Sequence, residues 1–343
     1  MIFSITVLLA AITCLSTTVA LPQKQHTPEG ASCSKPLVRR EWRQLSDDQK
    51  DNYINAVQCL REKPPQSASY FKGVKNRYDD FVAGHINETD FIHFVGFFQV
   101  WHRVFVHEYE TALGECGYKG GQPYWDWTLD ATIEGFPKSP IFDAEHGFGG
   151  NGPFVDTIRD PSVRLHIPGK TGGGCVTTGP FANISDFVHM GPLNSTAYNP
   201  RCLRRDFSPW LASKKLRKSV VDLTLSKSHF ATFDIAVQGM IDVPGLTYHG
   251  GGHLSVGGDI GMMGDVYNSP SDPIFFLHHA NLDRLWALWQ AKDAGKRTYD
   301  IAGPIQPFAP PFDFHGPVTS EKVTLDYNMW MGHFVKAAPG VYN

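Results

Sequence analysis

The chain has 343 residues, 42% of them hydrophobic and 19% charged, a balance that supports a buried core and excludes a disordered polyampholyte. Net charge is −3 and no block of Lys or Arg occurs, which argues against nucleic acid as a partner. The bias is toward rings, with 23 Phe, 12 Tyr, 8 Trp and 15 His, so function is to be sought among imidazoles and their aromatic surroundings.

The first twenty residues, MIFSITVLLAAITCLSTTVA, carry no charged side chain. Their apolar run from Ile2 to Leu15, interrupted by Ser4 and Thr6, is too short to span a bilayer. Thr18 and Ala20 are the small residues a signal peptidase requires, so residues 1–20 read as a secretory signal cleaved before Leu21. No later segment looks transmembrane, so no membrane partner is expected and the mature protein is secreted. It forms a single domain over 21–343, with a core of about 33–292 and a Pro-rich tail after 303.

Cys14 leaves with the signal, and five cysteines remain, an odd number that strands one thiol. Cys33–Cys59 is expected to pin the N-terminal arm to the first helix. Cys175–Cys202 would close the central loop and Cys116 would stay free, although spacing alone does not determine the pairing. Sequons at Asn87, Asn183 and Asn194 are candidate glycosylation sites on an extracytoplasmic route.

Ser46-Asp-Asp-Gln49 is a capping box that opens a helix whose apolar stripe is Tyr53, Ile54, Val57 and Leu60. Pro64 and Pro65 end it. A second helix is predicted over about Val74 to Ile86, broken by Asn87-Glu-Thr. A long apolar segment then runs from about Phe91 to Leu113. From Gly120 to Arg201 the chain is rich in Gly, Pro, Asn and aromatics, with weak periodicity; loops this long are usually functional or tied down. Helical character returns around Leu211 to Met240. Asp272-Pro273 supplies an N-cap and a first-turn proline for a helix continuing to about Ala291. Its buried side is expected to include Ile274, Leu277, Leu282, Leu285 and Leu288. After Gly303 the chain is Pro-rich and then weakly strand-like. The fold class is mainly α with long loops and few short strands.

Two histidine clusters stand out. The first is His85, His93 and His102; the second is His249, His253 and His279. Each supplies three imidazoles, a donor set that suits zinc, copper, iron or nickel. In HGGGH, His249 and His253 are four apart and share a face if helical, and the intervening glycines remove bulk where another element or a substrate comes close. His93 and His102 are nine apart, on opposite sides of a regular helix. Both can serve one metal only if His93 precedes the helix and His102 lies within it. His107, His189, His229, His315 and His333 read as ordinary hydrogen-bonded histidines.

WHRVF around His102, PYWDW at Pro123–Trp127 and SPSDPIFFLHHANLDRLWALWQ at Ser269–Gln290 together resemble the tyrosinase and catechol oxidase family of type 3 copper proteins. The likeness runs from about Cys33 to Gln290 and is nearest to short secreted fungal polyphenol oxidases. It implies a four-helix bundle holding two copper ions, with O2 as co-substrate and a small phenol as substrate. His85, His93 and His102 match the ligands of one copper, and His249, His253 and His279 those of the other. His279 aligns as the ligand because it lies seven residues after Asp272; His278 would face the substrate or support a ligand. Phe275 should pack on the ligand rings, and Asp283, one turn after His279, is a candidate to orient that ring, against a surface salt bridge beside Arg284.

Departures from the family pattern point toward oxidation of o-diphenols to o-quinones, with weak monophenol hydroxylation at most. Phe91 stands where some members place a thioether-forming Cys. Gly250 stands where many tyrosinases place Asn, with Leu254 following His253. The nearest polar groups to an expected upstream carboxylate are Gln238 and Asp242, and an amide is no base. Val266 falls where plant enzymes hang a Phe over the second copper, which widens access. The chain ends at Asn343, before the lid of latent members, so activity without trimming is expected, from a monomer or weak dimer. The alternatives are a full tyrosinase, an oxidase of methoxyphenols or aminophenols, a hemocyanin-like oxygen binder, a zinc hydrolase, for which HGGGH lacks the glutamate of HExxH, and a catalytically dead binding protein, against which no ligand position is lost.

Overall fold

The computed structural model describes residues 36–240, 242–304, 323–328 and 332–337, the last two segments through their backbone. The predicted signal segment and Cys33 lie outside the described residues, as does His315. Leu37–Asn343 cluster as one compact unit.

Helix α1 spans Asp47–Glu62 and opens on the expected box: Ser46 Oγ accepts the Gln49 N–H at 3.3 Å and Gln49 Oε1 accepts the Ser46 N–H at 3.0 Å. Tyr53, Ile54, Val57 and Leu60 are buried, as the stripe requires. Helix α2 spans Arg77–Ile92, capped by the Asn76 side chain, and runs straight through Asn87-Glu-Thr instead of ending at Ile86. Asn87 points outward, whereas Thr89 folds back to donate to the His85 carbonyl at 2.6 Å and Ile92 is buried. The inward face thus continues for another turn, and tertiary burial overrides the weak helix propensity of Asn and Thr.

Helix α3 spans Phe98–Gly114 and follows a turn in which Phe94 adopts φ 56°. The stretch from there to residue 208 contains only short 3-10 turns and isolated bridges, stiffened by Cys175–Cys202 and by buried rings such as Trp125, Phe142 and Phe207. The second bridge is Cys59–Cys116, joining the ends of α1 and α3. This corrects the expected Cys33–Cys59 pair and the free Cys116: α1 and α3 pack side by side, which no spacing rule reveals.

The helical stretch after residue 208 is three helices, α4 (Pro209–Lys215), α5 (Lys218–Leu225) and α6 (Phe230–Gln238). Helix α7 (Tyr248–Gly257) contains HGGGH, and α8 spans Ile274–Ala291. The expected cap of α8 is displaced by one residue, yet Asp272 Oδ1 still accepts the Ile274 N–H at 3.1 Å. Leu288 is 43% exposed and leaves the predicted buried side, while Ile274, Leu277, Leu282 and Leu285 hold it. An antiparallel hairpin, β1 (Val323–Asn328) with β2 (Gly332–Ala337), is the only sheet among the described residues.

Helices α2, α3, α7 and α8 form the central bundle. An aromatic seam of Phe81, Phe105, Tyr109 and Phe276 locks α2 and α3 onto α8; Tyr109 and Phe276 stack at 3.4 Å between ring centroids. Such rings bury large area and carry geometric preferences that set helix orientation. A second anchor is wholly buried: Arg205 donates to Asp272 through Nε at 2.7 Å and Nη2 at 3.0 Å, and through Nη1 to the carbonyls of Phe148 and Gly149. Asp272 in turn caps α8, so the loop region fixes the start of the helix that carries His278 and His279.

Candidate metal centre

Seven histidines converge inside the bundle. His85 lies on α2, His93 terminates it, and His102 lies on α3. His249 and His253 share the inner face of α7, and His278 and His279 come from the second turn of α8. His93 lies before α3 and His102 within it. The ring nitrogens of His85, His93 and His102 lie within 4.8 Å of one another, and so do those of His249, His253, His278 and His279. The two sets touch: His102 stacks on His279 with centroids 4.4 Å apart, and His93 on His249 at 6.2 Å.

Backbone carbonyls set the rings. His85 Nδ1 donates to Tyr267 O at 2.8 Å, His93 Nδ1 to Thr89 O at 3.0 Å, His102 Nδ1 to Phe98 O at 2.9 Å and His253 Nδ1 to Met263 O at 3.1 Å. With Nδ1 protonated, Nε2 keeps its lone pair. Those of His85 and His102 are buried with no hydrogen-bond partner, as are His249 Nε2 and His279 Nδ1. His253 Nε2 and His279 Nε2 face each other at 3.1 Å. Buried polar atoms without partners are costly, and four imidazoles left this way, with His253 and His279 turned nitrogen to nitrogen beside them, are a donor set shaped for a metal.

His278 is different. Its Nδ1 accepts the Trp127 indole N–H at 2.9 Å and its Nε2 faces His249 O at 3.1 Å. Both nitrogens are committed, so His278 holds the α7 backbone in place and leaves three imidazoles for that side of the centre. Gly252 makes room for it, because a Cβ there would lie 2.6 Å from His278 Nδ1.

Electrostatics agree with neutral donors. Burial, the largest cause, holds the imidazolium forms of all seven far below the usual histidine range, and neighbouring histidines add to it in most. His93 is lowered to about 4 and His253 to about 3.

The remaining predicted residues fall as follows. Phe275 packs its ring 4.2 Å from His279 and 5.2 Å from His85 between centroids. Asp283 does not orient His279: its carboxylate is taken by Arg39 at 2.9 Å and by Arg103, while Arg284 faces Asp126 at 3.7 Å. Gln238 is buried, accepts the Phe94 N–H, and donates to Val95 O at 3.1 Å and Asp234 Oδ2 at 2.6 Å. It thereby holds the positive-φ turn that follows His93. Asp242 caps Gly245 at 2.7 Å. Asn87, Asn183 and Asn194 are exposed. Sequence reasoning missed Phe98, whose ring lies 4.4 Å from His102 and 4.6 Å from His249, between the two sets. Its position one turn before His102 was the available signal.

A cavity of about 660 Å³ opens from His93, His249 and His253 to the surface, lined also by Gly250, Leu254 and Val266. Val266 is 46% exposed at its mouth.

Four helices that converge two imidazole triplets around neutral, unpartnered nitrogens define a type 3 copper fold. The model of the common central domain of tyrosinase matches residues 75–292, and the chain belongs to the tyrosinase family, a copper oxidoreductase. It is 38% identical over 293 residues to Tyrosinase P of Aspergillus terreus, covering 79% of this chain and 80% of that protein. It is 36% identical over 356 residues to the N-acetyl-6-hydroxytryptophan oxidase of Emericella nidulans, covering 94% and 92%. A solved mutant polyphenol oxidase from Thermothelomyces thermophila superposes with a TM-score of 0.75 at 34% identity, over 89% of this chain and 85% of that one.

Proposed function

We propose that the protein oxidises o-diphenols to o-quinones with O2, using two copper ions held by His85, His93 and His102 and by His249, His253 and His279. The observation that carries this reading is the set of buried ring nitrogens with no partner, each turned by a carbonyl or by packing toward a common centre. Copper supplies the redox chemistry with O2; the protein holds the donors neutral, excludes water with Phe98 and Phe275, and seats the phenol in the cavity above His249 and His253.

Diphenol oxidation is favoured over monophenol hydroxylation because no free base faces that seat among the described residues. Gly250 has no side chain, and both ends of the Gln238 amide are committed to Phe94, Val95 and Asp234. The carboxylates that line the cavity are also bound: Asp160 by Ser162, Asp259 by Ile167 and Thr157, and Asp265 by Leu193 and Tyr267. The Emericella nidulans relative is named for oxidation of a ring bearing one hydroxyl, which supports oxidation of phenolic rings in general and does not separate diphenols from monophenols. Secretion as one domain over 21–343 fits two disulfides, exposed sequons and the lack of any membrane-crossing helix among the described residues.

The test is oxygen uptake by the copper-loaded protein with a catechol and its matching monophenol. Uptake with the catechol alone is expected. Equal uptake with both would overturn the diphenol reading, and zinc with no copper in protein purified from its native source would overturn the dicopper one.

A further inference from the structure

Resting on the dicopper reading above, we infer that the phenol this site takes carries a carboxylate, gripped at the mouth of the cavity by Arg164 and Arg204. Both arginines line the same cavity as His249 and His253, and Arg201 lines it beside them. The side chains of Arg164 and Arg204 are exposed and make no hydrogen bond or ion pair among the described residues. Elsewhere in this chain arginines near carboxylates pair: Arg39 with Glu110 and Asp283, Arg205 with Asp272. Other exposed arginines, such as Arg40, Arg159 and Arg217, are also unpaired, so what marks Arg164 and Arg204 is that both line the cavity that holds His249 and His253.

The cavity also contains three carboxylates, Asp160, Asp259 and Asp265, so the formal charge of its lining balances. Hydrogen-bonding capacity does not balance. Asp160 accepts from Ser162, Asp259 from Ile167, Thr157 and His166, and Asp265 from Leu193 and Tyr267. Arg201 is likewise committed, to the carbonyls of Gly191 and Asn199. Only Arg164 and Arg204 have donors to spare, and a planar carboxylate matches the guanidinium fork. The cavity, at about 660 Å³, has far more room than one ring requires, and Val266 at its mouth leaves the way open. A ring seated over His249 with a short chain toward the rim fills both ends, whereas a bare catechol leaves the arginines unused.

The probes are 3-(3,4-dihydroxyphenyl)propionate and its methyl ester, offered to the copper-loaded full chain at pH 7 and low salt. The expected result is a kcat/KM about tenfold higher for the acid than for the ester, carried by KM, as one charge-assisted contact supplies. In the Arg164→Gln/Arg204→Gln protein that ratio falls to about one. It also falls in the unaltered protein as salt rises, because rim charges are screened. A ratio of one in the unaltered protein, or a tenfold ratio that survives the double substitution, overturns the inference. A second readout needs no turnover: calorimetric binding of 3-(4-hydroxyphenyl)propionate to the metal-free protein weakens about tenfold in the double variant. If neither catechol is oxidised, the dicopper reading fails, and this binding measurement alone decides whether the arginines grip a carboxylate.

Discussion

Gly252→Ala is the sharpest test of how the second set of histidines is built. The added Cβ would lie 2.6 Å from His278 Nδ1 and closer still to Cε1, where ordinary carbon contacts are about 3.5 Å or more. The His278 ring cannot retreat freely. It is fully buried, held at one nitrogen by Trp127 and at the other by the His249 carbonyl. A shift of the order of an ångström therefore breaks at least one of those bonds. Alanine gains about 1 kcal/mol over glycine in a helix interior. Against that stand about 1–3 kcal/mol of overpacking and about 1–3 kcal/mol for leaving the buried Trp127 N–H unsatisfied. The net expectation is a loss of about 1–5 kcal/mol, or several degrees in the melting temperature of a chain this size.

The neighbouring glycines supply the control. A Cβ at Gly250 meets only the Leu246 Cδ2 methyl, the far end of a flexible side chain, so Gly250→Ala should stay within about 1 kcal/mol of the unaltered protein. At Gly251 the obstacle is Lys215 Cβ at 2.6 Å, close to the α4 backbone, and the effect should be intermediate. Thermal melts of the three metal-free variants, with copper content by mass spectrometry, read the series. Copper loss should follow the same order, because His278 positions the backbone of His249. A Gly252→Ala protein that melts with Gly250→Ala and still holds two copper ions would refute the reasoning.

Cys59→Ser should destabilise the fold by about 4 kcal/mol, the loop-closure value for a separation of 57 residues, in denaturant titrations; no change would show that α1 and α3 hold together without the bridge. In the metal-free protein, burial keeps His93 and His253 neutral down to about 4 and about 3, while the unfolded chain takes up protons near 6.5. The unfolded state binds more protons between those values, so stability falls as pH drops from 6.5 toward 4, by about 1.4 kcal/mol per pH unit for each such histidine. Circular-dichroism melts at stepped pH check this, and a flat profile over that range would contradict it. Asp234 is fully buried and desolvation holds its carboxyl well above the usual range, so the folded state is penalised as pH rises above 3.8. Asp234→Asn keeps an acceptor for Gln238 and should raise stability by about 1–2 kcal/mol, more at pH 8 than at pH 5; a gain independent of pH would point to packing instead.

The parts of this fold that were legible in the sequence are those written in residue type and local spacing. Ser46 with Gln49 announces the start of α1, and the i, i+4 pair His249 and His253 announces a shared helical face. The requirement that His93 precede α3 followed from counting residues per turn. What was not legible depends on partners distant in the chain. Cys59 meets Cys116 because α1 lies beside α3, and neither segment encodes that neighbour. Helix α2 outruns Asn87 because Thr89 and Ile92 find burial, which overrides a local preference of a few tenths of a kcal/mol.

The second-nitrogen partners of the candidate ligands show the limit most clearly. A carboxylate such as Asp283 is visible in a sequence and invites the role of orienting His279. Yet a carboxylate held by Arg39 and Arg103 has better partners, and the rings of His85, His93, His102 and His253 are held by main-chain carbonyls. Every residue carries a carbonyl, so the choice of Tyr267, Thr89, Phe98 and Met263 leaves no mark in composition. It is made by where helices end and loops pass. Substituting Tyr267 or Met263 should therefore matter for these bonds only insofar as it moves the backbone, whereas Phe98 and Thr89 also touch the histidines with their side chains. The buried Arg205–Asp272 pair, which fixes the start of α8 from the loop side, is the place where a side chain does control that backbone. Removing one partner of such a pair leaves an uncompensated buried charge, at about 3–5 kcal/mol, and it moves His278 and His279 together. On α8 the centre is thus positioned by the pair that sets where that helix begins, and on the other helices by the carbonyls that hold the rings.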